Sequence, residues 1–327
     1  MVVMGAVSVV IPTFNRAQYV TDALESVWAQ SYRPVETIVV DDGSTDNTAT
    51  IVDEWADAHQ EDGFTVTYRY QENAGAPSAR NHGLQVASGQ WIKFLDSDDI
   101  LHPEALTAQI EASQKLCEDE IVFGDLGRMD EDGTEQWPDP VEPPALDEST
   151  FAYLLNHILV TPTPLHRQKL LEQVEGFRED VQKGQEYDLH LRLAVSGVDF
   201  VYEPGVVAYK RSVGGQNTIT KANSVEKNPD AHVFTQDNRA QLARRYFDGD
   251  IPRRVRRMLA TGYWVTGRQL ARVQHWERAE YCFENAGVYA VDTDHIVGPA
   301  PYRWFARGIG PIRAENALSF VKRLLGR

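Results

Sequence analysis

Five aspartates fall into two short groups whose spacing suits phosphate and sugar chemistry: Asp41 and Asp42 in DDGS, and Asp96, Asp98 and Asp99 in DSDD. Carboxylates accept from a base N–H or a ribose hydroxyl, and a pair of them can hold a hard divalent cation that also bridges phosphate oxygens. Asp, Ser and Gly also favour plain turns, so neither group decides the matter alone. What decides it is where the two groups sit relative to the elements that carry them.

Those elements alternate. Val7–Ile11 is an apolar, β-rich run, and the next segment places Val20, Ala23, Leu24, Val27 and Trp28 on one helical face. Thr37–Val40 is a second strand that ends in Asp41 and Asp42, and Ser44 or Thr45 is placed to cap a helix burying Thr48, Ile51, Val52 and Trp55. Val66–Tyr70, a helix around Ala79–Val86 and the strand Trp91–Leu95 continue the rhythm. This βαβα order predicts a mostly parallel sheet flanked by helices, in which ligands lie at the carboxyl ends of strands. Both acidic groups occupy such ends, and together they point to a nucleotide-diphosphate site.

Further along, Pro103 opens a helix to about Leu116, Ile121–Phe123 is a short strand, and residues 124–150, with Pro138, Pro140, Pro143 and Pro144, read as one long loop beside an acceptor. A helix at Phe151–His157, a strand to about His166, a helix from Glu186 to Val195 and a strand at Pro204–Arg211 close a domain of residues 1–220. Residues 221–327 read as a helical appendage, helical from about Thr235. Arg253, Arg254, Arg256 and Arg257 open one helix, and Trp276, Ala279, Glu280, Phe283 and Ala286 form a stripe on the next. The pair is like a single tetratricopeptide hairpin, for which a packing module is the simpler reading.

Composition narrows the class. Hydrophobic content of 42% and charged content of 24% describe an ordinary globular chain. Cys117 and Cys282 lie far apart without ligand-spaced company, which argues against a zinc site or a disulfide framework and for buried thiols. Residues 1–250 hold 19 Lys and Arg against 42 Asp and Glu, whereas residues 251–327 hold 13 against 6. The acidic body repels nucleic acid. The basic region suits anionic lipid, an acidic protein or the body itself, with a solvated face as the plain alternative, and Trp304 to Arg327 reads as an interfacial helix or one docked on the rest of the chain. The first residues read as a strand rather than a signal peptide, and no run reaches membrane-spanning length, so a cytoplasmic protein, peripheral at the inner membrane face at most, is expected.

IPTFN, DDGS, SARN, DSDD and GQEYDLHLRLA, in this order over residues 6–211, resemble family 2 glycosyltransferases of the GT-A fold. The resemblance implies an inverting transferase that moves a sugar from a nucleotide donor, a UDP-sugar above others, to a glycan, lipid-linked or other hydroxyl acceptor in surface-polysaccharide or glycoconjugate assembly. It places Pro12, Thr13, Asp41 and Asp42 at the nucleoside, Arg80 at base or phosphate, Asp96 at the ribose, and Mn2+ or Mg2+ on Asp98 and Asp99, with Asp98 the principal ligand. It puts the general base at Glu186, where relatives often carry Asp, with Asp188 as the alternative; a helix-starting acidic pair is the plain reading. Relatives also carry a His after the closing strand, where this chain has Ser212 and Val213. Lys210 or Arg211 is then the cation for the diphosphate, and the Gly214-Gly215 loop a cover over the donor. These departures keep a second reading open, a non-catalytic nucleotide-binding or scaffold protein on the same fold. A dinucleotide enzyme lacks support, since no G-x-G-x-x-G follows the first strand.

Overall fold

The computed structural model describes residues 5–59, 61–130, 135–136, 141–145, 147–211, 223–291, 295–298 and 300–324. The chain divides into two compact units, one of Met1–Asp180 and Gln185–Gly214, the other of Val181–Gly184 and Gly215–Arg327.

The first unit begins with β1 (Val7–Thr13), α1 (Val20–Trp28), β2 (Val35–Asp41), α2 (Thr48–Ala58), β3 (Phe64–Tyr70), α3 (Ala76–Val86) and β4 (Trp91–Phe94). It continues with β5 (Ile100–Leu101), α4 (Ala105–Ser113), β6 (Glu120–Met129), β7 (Glu135–Gln136), α5 (Thr150–Asn156), β8 (Pro164–Arg167), α6 (Gln168–Gln173), α7 (Gln185–Val195) and β9 (Asp199–Arg211). The strands form one sheet in the order β3-β2-β1-β4-β8-β6-β9-β5, with β7 beside β6. Pairing is parallel from β3 to β4 and between β6 and β9, and antiparallel through β8 and at β5. The part from β3 to β4 is the parallel sheet that the alternation predicts, and the antiparallel β8 and β5 make the whole sheet mixed, mostly parallel.

β1 and β2 are buried almost throughout, as strands covered by helices on both faces must be. α1 packs Val20, Ala23, Leu24 and Val27 inward, but Trp28 is 37% exposed because it lies at the last turn, where the stripe has rotated off the sheet. Neither Ser44 nor Thr45 caps α2. The helix starts only at Thr48, and Asp46 Oδ1 accepts from the Thr48 N–H at 3.1 Å. Residues 124–150 are not one loop: β6 runs on to Met129, and β7 pairs with its last two residues. Pro138 and Pro140 lie outside the described residues, as do Ser212, Val213, Gly214 and Gly215.

The second unit contains α8 (Pro229–Tyr246), α9 (Arg253–Arg272), α10 (Trp276–Tyr289), α11 (Ala300–Ile309) and α12 (Pro311–Leu324). α8 begins six residues before Thr235 because the Asn228 side chain accepts from the Ala231 N–H and Pro229 takes the first helical position. α9 and α10 form a close hairpin. At Gly267 an added Cβ would stand 3.0 Å from the Phe283 ring and 3.1 Å from the Ala279 carbonyl oxygen, so glycine allows the approach. α10 buries Ala279, Cys282, Phe283, Ala286 and Tyr289, whereas Glu280 faces solvent. Cys282 is thus a core thiol, but Cys117 is exposed, against expectation, in the turn before β6. Among the described residues no helix is long and apolar enough to cross a membrane.

Candidate active site

The parallel register brings the strand ends together. Thr13 stands opposite Asp41, Pro12 opposite Val40, and Asp41 opposite Tyr70. Thr13 is buried, and its Oγ1 has no hydrogen-bond partner, an unmade bond at the rim of the sheet. Pro12 is half-buried beside it. The following loop is tied down: Asn15, at φ 52, accepts through Oδ1 from the Thr45 N–H at 2.8 Å, and its own N–H donates to Ser44 Oγ at 2.8 Å. Ser44 thus fastens two strand-end loops instead of capping α2.

Asp41 and Asp42 have different surroundings. Asp41 accepts from the Ser44 N–H at 2.7 Å and the Tyr68 hydroxyl at 2.8 Å. Burial, followed by the hydrogen bond to Asp41, raises the Tyr68 phenol far above its ordinary range, so it stays a donor. Asp42 Oδ1 accepts from Gln71 Nε2 and the Ala74 N–H, and Oδ2 from the Gly75 N–H, each at 2.8 Å. A buried carboxylate with three donors orders the 71–75 loop before α3. Asp41 and Asp42 thus both stand buried at the end of β2.

At the end of β4 the DSDD turn closes through the Asp99 N–H to the Asp96 carbonyl at 2.9 Å. Asp96 accepts from Arg80 Nη2 at 2.7 Å, and Arg80 Nη1 donates to Gln185 Oε1 at 3.2 Å while its guanidinium lies over the Phe177 ring. Arg80 is buried and braces the DSDD turn against α7, while its Nε has no hydrogen-bond partner. Asp98 faces Arg16 Nε at 3.5 Å with its side chain 21% exposed, and buried Asp99 accepts from the Arg211 N–H at 3.2 Å. Burial, then repulsion from Asp96, raises the carboxyl of Asp98 above its ordinary range and that of Asp99 well above it. Lys210 offsets part of this at both. Arg211 is occupied elsewhere, donating to Asp22 at 2.6 Å, which leaves Arg16 and exposed Lys210 as the cations beside the acids.

Among the described residues no group of three or more His, Cys, Asp or Glu is set to enclose a metal. Two under-compensated carboxylates nonetheless match the way Mg2+ is held in phosphate enzymes, by one or two protein carboxylates with substrate phosphates and water completing the shell. The donor set of Asp98 and Asp99 fits such an ion.

α7 separates its two acids. Glu186 is half-buried and accepts from Thr161 Oγ1 at 3.2 Å. Asp188 is buried, bonded to Arg192 Nε at 2.7 Å with Arg178 Nη1 at 3.7 Å, and Arg192 also donates to the Val174 and Gly176 carbonyls at 2.6 and 2.7 Å. Through Arg192, Asp188 pins α7 to the turn after α6. One turn along, His190 Nε2 meets His166 Nε2 of β8 at 3.4 Å, joining the helix to the sheet. Arg16, Tyr68 and Thr161 were not singled out from sequence. Arg16 directly follows IPTFN and was within reach of the motif, but nothing local marks Tyr68 or Thr161.

The comparisons with known proteins give the family and the fold. The profile of glycosyl transferase family 2 matches residues 8–174. An uncharacterized glycosyltransferase of Rickettsia typhi is 33% identical over 227 residues, 68% of each chain. A chondroitin synthase of Escherichia coli is 27% identical over 226 residues, 68% of this chain and 31% of that one. Among solved structures, residues 1–349 of Staphylococcus aureus TarS in complex with UDP-GlcNAc superpose with a TM-score of 0.66 at 20% identity, over 98% of this chain and 92% of that one. That likeness establishes the GT-A-type fold.

Proposed function

This chain belongs to glycosyl transferase family 2 and is a glycosyltransferase, and we propose that it transfers one sugar, with inversion, from a UDP-sugar or related nucleotide donor to a hydroxyl of a glycan or lipid-linked acceptor. The similarity to a chondroitin synthase supports a role in polysaccharide or glycoconjugate assembly. In this reading the nucleoside lies across the ends of β1 and β2, where the unpaired Thr13 hydroxyl gains a partner and Asp41 offers acceptor oxygens beside Pro12. Asp96 faces the ribose. Asp98, with Asp99, would hold Mn2+ or Mg2+, which when bound neutralises charge on the diphosphate. Lys210 adds positive charge from β9.

The observation that carries the reading is the link Asp96–Arg80–Gln185, which fixes the first residue of α7, and with it Glu186, against the DSDD turn. Glu186 takes the proton from the acceptor hydroxyl as that oxygen bonds to the anomeric carbon. The bond from that carbon to the diphosphate oxygen breaks, and the nucleoside diphosphate leaves with the electron pair. Thr161 orients the Glu186 carboxylate.

A thermal-shift series of nucleotide sugars with and without Mn2+, followed by turnover assays, tests this. The expected result is Mn2+-dependent stabilisation by one donor that Asp98→Ala abolishes, with transfer that Glu186→Gln abolishes while donor binding persists. Stabilisation by no nucleotide sugar would sink the reading, and tight binding without turnover on any acceptor would make the protein a binding module.

A further inference from the structure

The last residue before α7, Gly184, has φ 70, a left-handed conformation that suits glycine. It ends a short strap, Val181–Gly184, that belongs to the second unit, whereas the chain up to Asp180 and the chain from Gln185 belong to the first. The entry to the strap is fixed within the first unit: Asn81 of α3 donates to the Phe177 carbonyl and accepts from the Phe177 N–H, each at 2.8 Å. The strap itself is held inside the second unit. Val181 is buried, the Gln182 carbonyl accepts from Asn223 Nδ2 at 2.8 Å, and Gln182 Oε1 accepts from Asn228 Nδ2.

Asn228 uses its whole amide here. Its Nδ2 also donates to Asn223 Oδ1 at 2.9 Å, and its Oδ1 accepts from the Ala231 N–H at 3.2 Å as the cap of α8. His232 of the same helix donates through Nε2 to the Asn223 carbonyl at 3.0 Å, so Asn223 is held by backbone and side chain alike. The start of α8 thus fixes both the carbonyl and the side chain of Gln182, three residues before α7 begins.

Glu186 is the second residue of α7. It lies in the turn whose N–H groups have no partner within the helix and which loosens first. Arg80 restrains the Gln185 side chain at 3.2 Å, and Thr161 reaches the Glu186 carboxylate at 3.2 Å. The direction in which the backbone enters the helix is set by the strap, which one peptide bond joins to Gln185.

We infer that Asn228, together with Asn223, is a positioning residue for the transfer reaction: by holding Gln182 it fixes the strap, and through the strap the first turn of α7 and the Glu186 carboxylate. The inference rests on the reading of Glu186 as the base. It gives the helical unit a part in catalysis that runs through the chain itself.

Asn228→Asp in the full chain separates this from a merely structural role. Aspartate still caps α8 with one oxygen, but the other then meets Gln182 Oε1 and Asn223 Oδ1, and both donated bonds are lost. The kcat is expected to fall about ten- to hundred-fold, the scale of a misplaced reacting group. Donor KM, donor-induced stabilisation and melting temperature are expected to stay close to those of the wild type. Gln182→Ala, at an exposed position, removes the other end of the bond and is expected to lower kcat about five-fold, as the loss of one hydrogen bond would. In the Glu186→Gln background, Asn228→Asp is expected to change the residual rate by less than about two-fold, because a residue acting through that carboxylate has nothing left to position. An unchanged kcat in either variant would overturn the inference. So would an equal loss in both backgrounds, or a loss shared by donor binding and accompanied by a lower melting temperature. Glu186→Gln transferring at the wild-type rate would remove the base reading itself, and the inference with it, whatever Asn228→Asp does.

Discussion

The DSDD turn and the first two turns of α7 both carry buried aspartate, yet the two regions treat it in opposite ways. Asp188 has two arginines, one of which continues to two backbone carbonyls, so its charge and geometry are fully used in holding the helix. Asp98 and Asp99 have the Arg16 guanidinium at 3.5 Å, one backbone N–H, a partial offset from Lys210 and a repelling neighbour. Asp42 follows the Asp188 pattern, with three donors at 2.8 Å. We propose that the saturated carboxylates act as scaffold and that the under-compensated ones at the strand end are left for a ligand. Residue type and burial alone do not separate the two.

The comparison breaks most sharply at α7. Replacing Glu186 by Gln is expected to lower transfer by about 10²- to 10⁴-fold, the usual contribution of a positioned base, with little change in melting temperature. Steady-state transfer and a melting curve on the same sample check it, and equal activity of the variant would remove Glu186 as base. Replacing Asp188 by Asn should reverse the pattern. Arg178 keeps its pair with Asp180, so the loss falls on Arg192 and costs about 3–5 kcal/mol of stability by denaturant unfolding, and a variant as stable as the wild type would show that Asp188 is not an anchor.

The buried imidazoles give a pH signature for the same helix. Burial pushes His190 down to about 3 and His166 well below its ordinary value, so both are neutral in the folded state. The unfolded chain protonates them below about 6.5, so the stability they support is present above that pH and is lost progressively as pH falls below it. Urea midpoints between pH 7.5 and 5 should therefore drop for the wild type and drop less steeply for His190→Phe. Parallel pH dependences for the two proteins would count against the neutral pair.

The smallest expected effect has the opposite sign. Because Asp99 is held above its ordinary range by burial and by Asp96, it favours the fold while protonated and opposes it once ionised. Its stabilising share is lost as pH rises through the folded value, which leaves a cost at neutral pH. Asp99→Asn, which can still accept from the Arg211 N–H, is expected to raise the melting temperature at pH 7 while weakening Mn2+-dependent donor binding. A lower melting temperature would place Asp99 with the scaffold carboxylates.

The fold was legible because its signals are local. The apolar runs at Val7–Ile11 and Thr37–Val40, the helical stripe of α1 and the strand-end position of both acidic groups follow from neighbours in the chain, and they suffice for an alternating α/β sheet with a site at its rim. Two elements differ from the local pattern. Residues 124–150 read as a loop because the pairing that extends β6 comes largely from β9, far along the chain, and α8 begins ahead of its apolar pattern because the local Asn228-Pro229 start precedes it.

By itself, then, the sequence determined which residues stand at the strand ends and that a carboxylate opens α7, since both follow from chain order and periodicity. Only the tertiary structure decided which carboxylates remain available. The groups that saturate Asp42 and Asp188 or brace Asp96 reach them from other turns and helices, and Arg80 joins Asp96, 16 residues away in the chain, to Gln185, 105 residues away. Whether an acid is scaffold or ligand depends on the donors around it in space, which no local pattern records.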